Sequence, residues 1–82
     1  MEKALPTYRF NFHSANTIKK DHTGQDLASD FAAFEEGVAA AREIVSQRVR
    51  IGEPLGRDAY EVLDEWGQVV HIITLRSVVN LG

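Results

Sequence analysis

Three histidines, His13, His22 and His71, are the residues in this chain best suited to moving a proton or holding a metal, because imidazole titrates near neutral pH without perturbation. A metal site needs three or four converging ligands. These histidines fall on separate segments, with no His-x-x-x-His spacing to bring two onto one helix face. Glu61 and His71 form a more specific pair, since they stand opposite each other if the last third of the chain is a hairpin. A carboxylate so placed would fix the imidazole tautomer and raise its pKa, as acid–base catalysis requires. On an open sheet face the same pair is an ordinary cross-strand contact worth below about 1 kcal/mol. The second reading is the commoner case, with an interface or pH-sensitive contact as the alternative.

Asp21 and Asp26 flank Gly24 and suggest calcium. The helix–loop–helix calcium site needs more oxygen ligands at fixed positions and a closing Glu, so turn and cap roles suit these aspartates better. Ser14, Ser29, Ser46 and Ser77 lack a nucleophile-elbow context. Gly52-Glu53-Pro54-Leu55-Gly56 lacks the Lys and the following Ser or Thr of a phosphate-cradling loop. There is no cysteine, hence no disulfide, thiolate ligand or thiol nucleophile. No catalytic, cofactor-binding or metal residue is assigned, and no cofactor is expected.

These residues must be positioned by one small domain. Eighty-two residues allow a single modest core and a net stability of only a few kcal/mol. The net charge of −3 argues against a domain-wide footprint for nucleic acid. Neither a leader-like segment nor a membrane span is legible, so a cytoplasmic protein without membrane contact is the expectation.

The longest element is a helix from Ser29 to Gly52. Phe31, Phe34, Val38, Ala41, Val45 and Val49 recur at steps of three and four, which predicts one apolar stripe. Ser29 or Asp30 caps its start. Arg48 and Arg50 suit its negative end, Gly52 closes it in the left-handed conformation, and Pro54 prevents resumption. Before it, residues 1–6 read as a loose tail. Tyr8, Phe10 and Phe12 then alternate with Arg9, Asn11 and His13 in a half-buried strand. Thr17 to Lys20 reads as a second strand, and Gln25 to Leu27 as a brief third.

Asp21-His22-Thr23-Gly24 and Asp64-Glu65-Trp66-Gly67 share the Asp-x-x-Gly spacing of a type I turn closed by a glycine bulge. The second such turn joins Ala59–Leu63 to 68–75 in a hairpin. If Asp64 and Gln68 flank the loop, Val62 faces Val70 and Tyr60 faces Ile72 on the helix side. On the other side Leu63 meets Val69, Glu61 meets His71 and Ala59 meets Ile73. Residues 77–82 read as an apolar-leaning tail that either packs on the domain or extends the last strand. The expected fold is α+β, a small antiparallel sheet with one long helix on one face, in the order β-β-(β)-α-β-β.

The assembled pieces resemble a family of short alphaproteobacterial proteins of unknown function. The resemblance covers most of the chain. It rests on Tyr8-Arg9-Phe10-Asn11-Phe12, on Asp21-His22-Thr23-Gly24-Gln25-Asp26-Leu27 before an Ala-rich helix, and on Glu61-Val62-Leu63-Asp64-Glu65-Trp66-Gly67-Gln68-Val69-Val70. Leu75 stands where the family pattern has Phe, and Trp66 where it has a polar turn residue. The resemblance implies the fold and a bacterial setting; its motifs are turns and packing positions, and they imply no activity.

A sheet with one wet face does not need Leu63, Val69, Ile73 and Leu75 on that face. This surplus points to a non-enzymatic interaction module that self-associates, as a homodimer, or binds a protein partner through a sheet face or edge. Its expected contacts are Glu61, Leu63, Trp66, Val69, His71, Ile73 and Leu75, with Trp66 either an aromatic anchor or folded back over its own hairpin. The alternative is a nucleic-acid-linked regulatory protein that uses Arg48, Arg50 and Arg57 at the end of the helix.

Overall fold

Backbone hydrogen bonding and side-chain periodicity together give seven elements in the computed structural model, which describes residues 5–79. They are β1 (Thr7–Ser14), β2 (Thr17–Lys19), β3 (Gln25–Asp26), α1 (Asp30–Ile51), β4 (Ala59–Leu63), β5 (Val69–Thr74) and α2 (Leu75–Val79). The sheet order is β2-β1-β4-β5, antiparallel throughout, with β3 paired to the first residues of β1. The α+β expectation holds, with α1 on one sheet face. Most of the two expected tails, residues 1–4 and 80–82, lies outside the described residues.

The local signals place the elements as their chemistry requires. Ser29 is extended and its side chain accepts from the Ala32 N–H at 3.1 Å, satisfying one of the free donors at the start of α1. At the other end Gly52 has φ of 75°, and the Glu53 N–H reaches the Arg48 carbonyl at 2.8 Å. This is the left-handed closure that glycine favours. Asp64 Oδ1 accepts from the N–H groups of Trp66 and Gln68 at 3.0 and 2.9 Å, and Gly67 has φ of 80°. Asp21 repeats the side-chain part of the device, its Oδ1 accepting from Thr23 and Gly24 at 3.1 and 3.0 Å. The strands on either side, β2 and β3, both pair with β1, so this segment is not the hairpin turn its spacing suggests.

Two expectations about faces need correction. The buried side of α1 is Ala33, Gly37, Val38 and Ala41, while Phe31 and Val49 are 66% and 70% exposed. The helix is rotated toward its smallest residues because they let it approach the sheet closely. A Cβ on Gly37 would lie 2.4 Å from Ile73 Cδ1. Phe34, Ile44 and Val45 pack against the core cluster as partly buried neighbours.

The second correction concerns the hairpin. Leu63 pairs with Val69 as expected, but Val62 then pairs with His71, Glu61 with Ile72, Tyr60 with Ile73 and Ala59 with Thr74. Val70 is the extra residue of a bulge, and one extra residue transfers all following side chains to the other face. Ile73 therefore turns inward and is 2% exposed, whereas Ile72 turns outward at 67%. The expected strand over 68–75 also ends early. Thr74 Oγ1 accepts from the Ser77 N–H at 3.2 Å, Leu75 N–H donates to Asp58 O at 2.9 Å, and α2 begins. Leu75 and Val78 are buried, 0% and 4% exposed, in the cluster that also holds Tyr8, Ala33, Val38, Ala41, Val62 and Ile73.

Candidate functional site

The sheet face turned away from α1 is built by Arg9, Asn11 and His13 of β1, which register with Leu63, Glu61 and Ala59 of β4. Glu61 is the hub of its polar part. Its Oε1 accepts from Asn11 Nδ2 at 3.4 Å and lies 3.3 Å from His13 Nε2, close enough for an ion pair without hydrogen-bond alignment. The expected Glu61–His71 pair does not form, because the bulge at Val70 sends His71 to the helical face. There His71 Nε2 sits 2.9 Å from the carbonyl oxygen of Asp30, and its ring lies 5.2 Å from that of Phe34. A carbonyl only accepts, so the imidazole proton is on Nε2 and that nitrogen is occupied in joining β5 to the start of α1.

The apolar part of the open face and its rim is Leu63, Val69 and Ile72, with Trp66 at the hairpin tip. Val69, Ile72 and Trp66 are 49%, 67% and 77% exposed. Trp66 does not fold back over its own hairpin. Of the seven residues expected to form a contact surface, Glu61, Leu63, Trp66 and Val69 lie on this side. His71 turns to the helix, and Ile73 and Leu75 are core residues; this corrects their expected placement. Ile72 takes their place, and only the bulge, which leaves no clear sequence mark, could have revealed it.

Beside this face lies an open groove of about 250 Å³ between the two Asp-x-x-Gly turns, lined by residues that include Arg9, Asn11, Lys20, Asp21, Leu63 and Asp64. Its charges are mixed, and the carboxylates of Asp21 and Asp64 are already engaged with backbone N–H groups. Asp21 Oδ2 accepts from the Phe10 N–H at 3.1 Å, and Asp21 N–H donates to Asn11 Oδ1 at 3.0 Å. Burial pushes the Asp21 carboxyl up, but the N–H groups of Gly24, Phe10 and Thr23, with Arg9 nearby, outweigh it and hold the pKa below the ordinary value. Tyr8, whose hydroxyl donates to Asp30 Oδ1 at 2.6 Å, has its pKa pushed up to about 12 by that bond and by burial. Both shifts come from groups that hold the fold together. No group of three or more His, Asp or Glu among the described residues is arranged to hold a metal.

The basic surface expected at the end of α1 is divided. Arg48 Nη2 meets Asp58 Oδ2 at 2.6 Å, and Nη1 donates to the carbonyls of Pro54 and Leu55 at 3.1 and 3.4 Å. Arg48 thus ties the connector to the helix, and Arg50 and Arg57 remain exposed. Asp58 escaped sequence reasoning, although a lone acid beside Arg57 at the start of a strand is the available hint.

The aromatic first strand, paired Asp-x-x-Gly turns and single long helix mark a small α+β domain. The chain belongs to the family described as Domain of unknown function (DUF6894), whose model matches residues 7–76. Comparison with curated proteins and with solved structures finds no match. No helix among the described residues is long and apolar enough to cross a membrane.

Proposed function

We propose that the protein is a non-enzymatic interaction module that self-associates through the free edge of β5 and the open face beside it. The carrying observation is the character of β5. It ends the sheet order, is six residues long, and contains no Lys, Arg, Asp, Glu or Pro. Natural edge strands are normally shortened, charged or interrupted to prevent pairing. The opposite edge follows that rule: β2 has three residues, and Lys19 and Lys20 lie at its end. Val69, Ile72 and Trp66 supply exposed apolar area next to the unprotected edge. The cytoplasmic setting expected from the sequence is part of this proposal.

Sedimentation equilibrium of the wild-type chain and of Ile72→Lys tests it. The expected result is a wild-type dimer and a folded monomeric variant at the same concentration. A wild-type monomer across the accessible concentration range would rule the proposal out. Salt-sensitive binding to nucleic acid that disappears when Arg50 and Arg57 are replaced would support the alternative reading instead.

A further inference from the structure

Resting on that reading, we infer that the second copy docks edge to edge and antiparallel on β5, about a two-fold axis at Ile72. The two sheets then join into one, with both α1 helices on the same side.

The bulge at Val70 disturbs only the start of β5; from His71 to Thr74 the strand is regular and pairs with β4 on one side only among the described strands. Its other edge offers unpaired backbone N–H and C=O groups, which a second strand satisfies most simply. In an antiparallel pair, directly opposed residues point to the same face. Matching outer face to outer face therefore restricts the axis. With the axis at Ile72, that side chain meets its own counterpart on the open face. His71 then stands opposite Ile73 of the second copy on the helical face. An axis lying along the strand would instead put the helices on opposite sides and set the outward Ile72 on both faces at once.

The exposed apolar residues near β5 fit the same axis. Phe31, 66% exposed, follows Asp30, whose carbonyl contacts His71 at the start of β5. Val79, 57% exposed, lies in α2, which leaves the end of β5. Antiparallel docking brings the start of one β5 beside the end of the other, and so carries Phe31 toward α2 of the second copy. A two-fold contact of this kind is self-complementary and closed. With β2 short and lysine-flanked at the far edge, assembly ends at the dimer.

The absence of cysteine makes a single-cysteine experiment direct. Ile72→Cys places two thiols across the axis, with Cα atoms about 5 Å apart, within reach of a disulfide. Val69→Cys places them six strand positions apart, roughly 20 Å. Under mild oxidation, Ile72→Cys is expected to form a covalent dimer and Val69→Cys to remain a thiol. Equal crosslinking of both, or of Val69→Cys alone, overturns the arrangement. Hydrogen exchange on the wild-type chain provides a second measurement independent of any substitution. The amides of β5 should become protected as concentration rises through the dimerisation range. A dimer by sedimentation without that protection overturns edge pairing and leaves self-association standing, whereas a monomer overturns both.

Discussion

Arg48, near the end of α1, holds Asp58, just before β4, at 2.6 Å, and the Arg48 and Asp58 side chains retain only 18% and 11% of their exposure. The pair does more than neutralise two charges. Arg48 also binds the connector carbonyls. Asp58 Oδ1 accepts from the Ala15 N–H at 3.4 Å, and its carbonyl receives the first N–H of α2. The end of α1 and its connector thus meet the β1–β2 turn and the start of α2 at one ion pair. Removing one partner leaves a largely buried charge unpaired, which costs about 3 kcal/mol. Arg48→Met and Asp58→Asn should each lower the urea midpoint substantially, and the double variant should lose less than the sum. Additive losses would show that the two side chains act separately.

Gly37 tests the close approach of helix and sheet. Gly37→Ala gains helix propensity, worth about 1 kcal/mol, but its methyl meets Ile73 Cδ1 at 2.4 Å. The flexible end of Ile73 must move within a filled core, and overpacking costs about 1–3 kcal/mol. A net loss of stability is expected in thermal unfolding. Ile73→Val should recover part of that loss in the Gly37→Ala background while destabilising the wild type.

Asp21 and Tyr8 give stability opposite dependences on pH. The Asp21 pKa is lower in the fold than in the unfolded chain. Its contribution is therefore present above the ordinary carboxylate value, 3.8, and is lost as pH falls through the folded value. Asp21→Asn should flatten the acid limb of a stability–pH curve. Tyr8 is raised from 10.0 to about 12, so its contribution is complete below pH 10 and is lost between 10 and about 12. Tyr8→Phe should remove that alkaline loss, and ultraviolet titration should show no tyrosine ionising at its ordinary pH, because burial also raises Tyr60.

Gly67 closes the β4–β5 turn with φ of 80° and open space around it. Gly67→Ala therefore meets backbone strain alone, about 1–2 kcal/mol. Chemical denaturation should show that loss with unchanged spectra, whereas a register change would alter the near-ultraviolet signal of Trp66.

The parts of the fold that were legible in the sequence are those decided within a few residues. Ser29, Gly52, Asp21, Gly24, Asp64 and Gly67 each perform the capping or turn role that their types imply. Faces were harder to read, because they depend on contacts between elements. The side of α1 that approaches the sheet carries Ala33, Gly37 and Ala41, and a hydrophobic pattern weights such small residues least. The valines of α2 favoured an extended reading, while the Thr74–Ser77 cap that starts the helix was a three-residue signal easily lost beside them. For the candidate contact surface, hairpin position identified Leu63, Val69 and Trp66, and the bulge hid Ile72.

That bulge makes the identity of the outer surface a matter of counting. Shortening β5 by its one extra residue, Val70, would leave a regular ladder in which Leu63 still faces Val69 and Val62 still faces His71, with every side chain beyond on its present side. Keeping Val70 and pairing it with Val62 without a bulge would instead set Ile73 in water, turn Ile72 toward the helix, and bring His71 round to Glu61. One step of register therefore separates two exteriors of the same sequence, and the bulge at Val70 selects between them. Substitutions test side chains one at a time; a deletion at Val70 would test the bulge itself, and should keep Ile73 in the core and Ile72 outside.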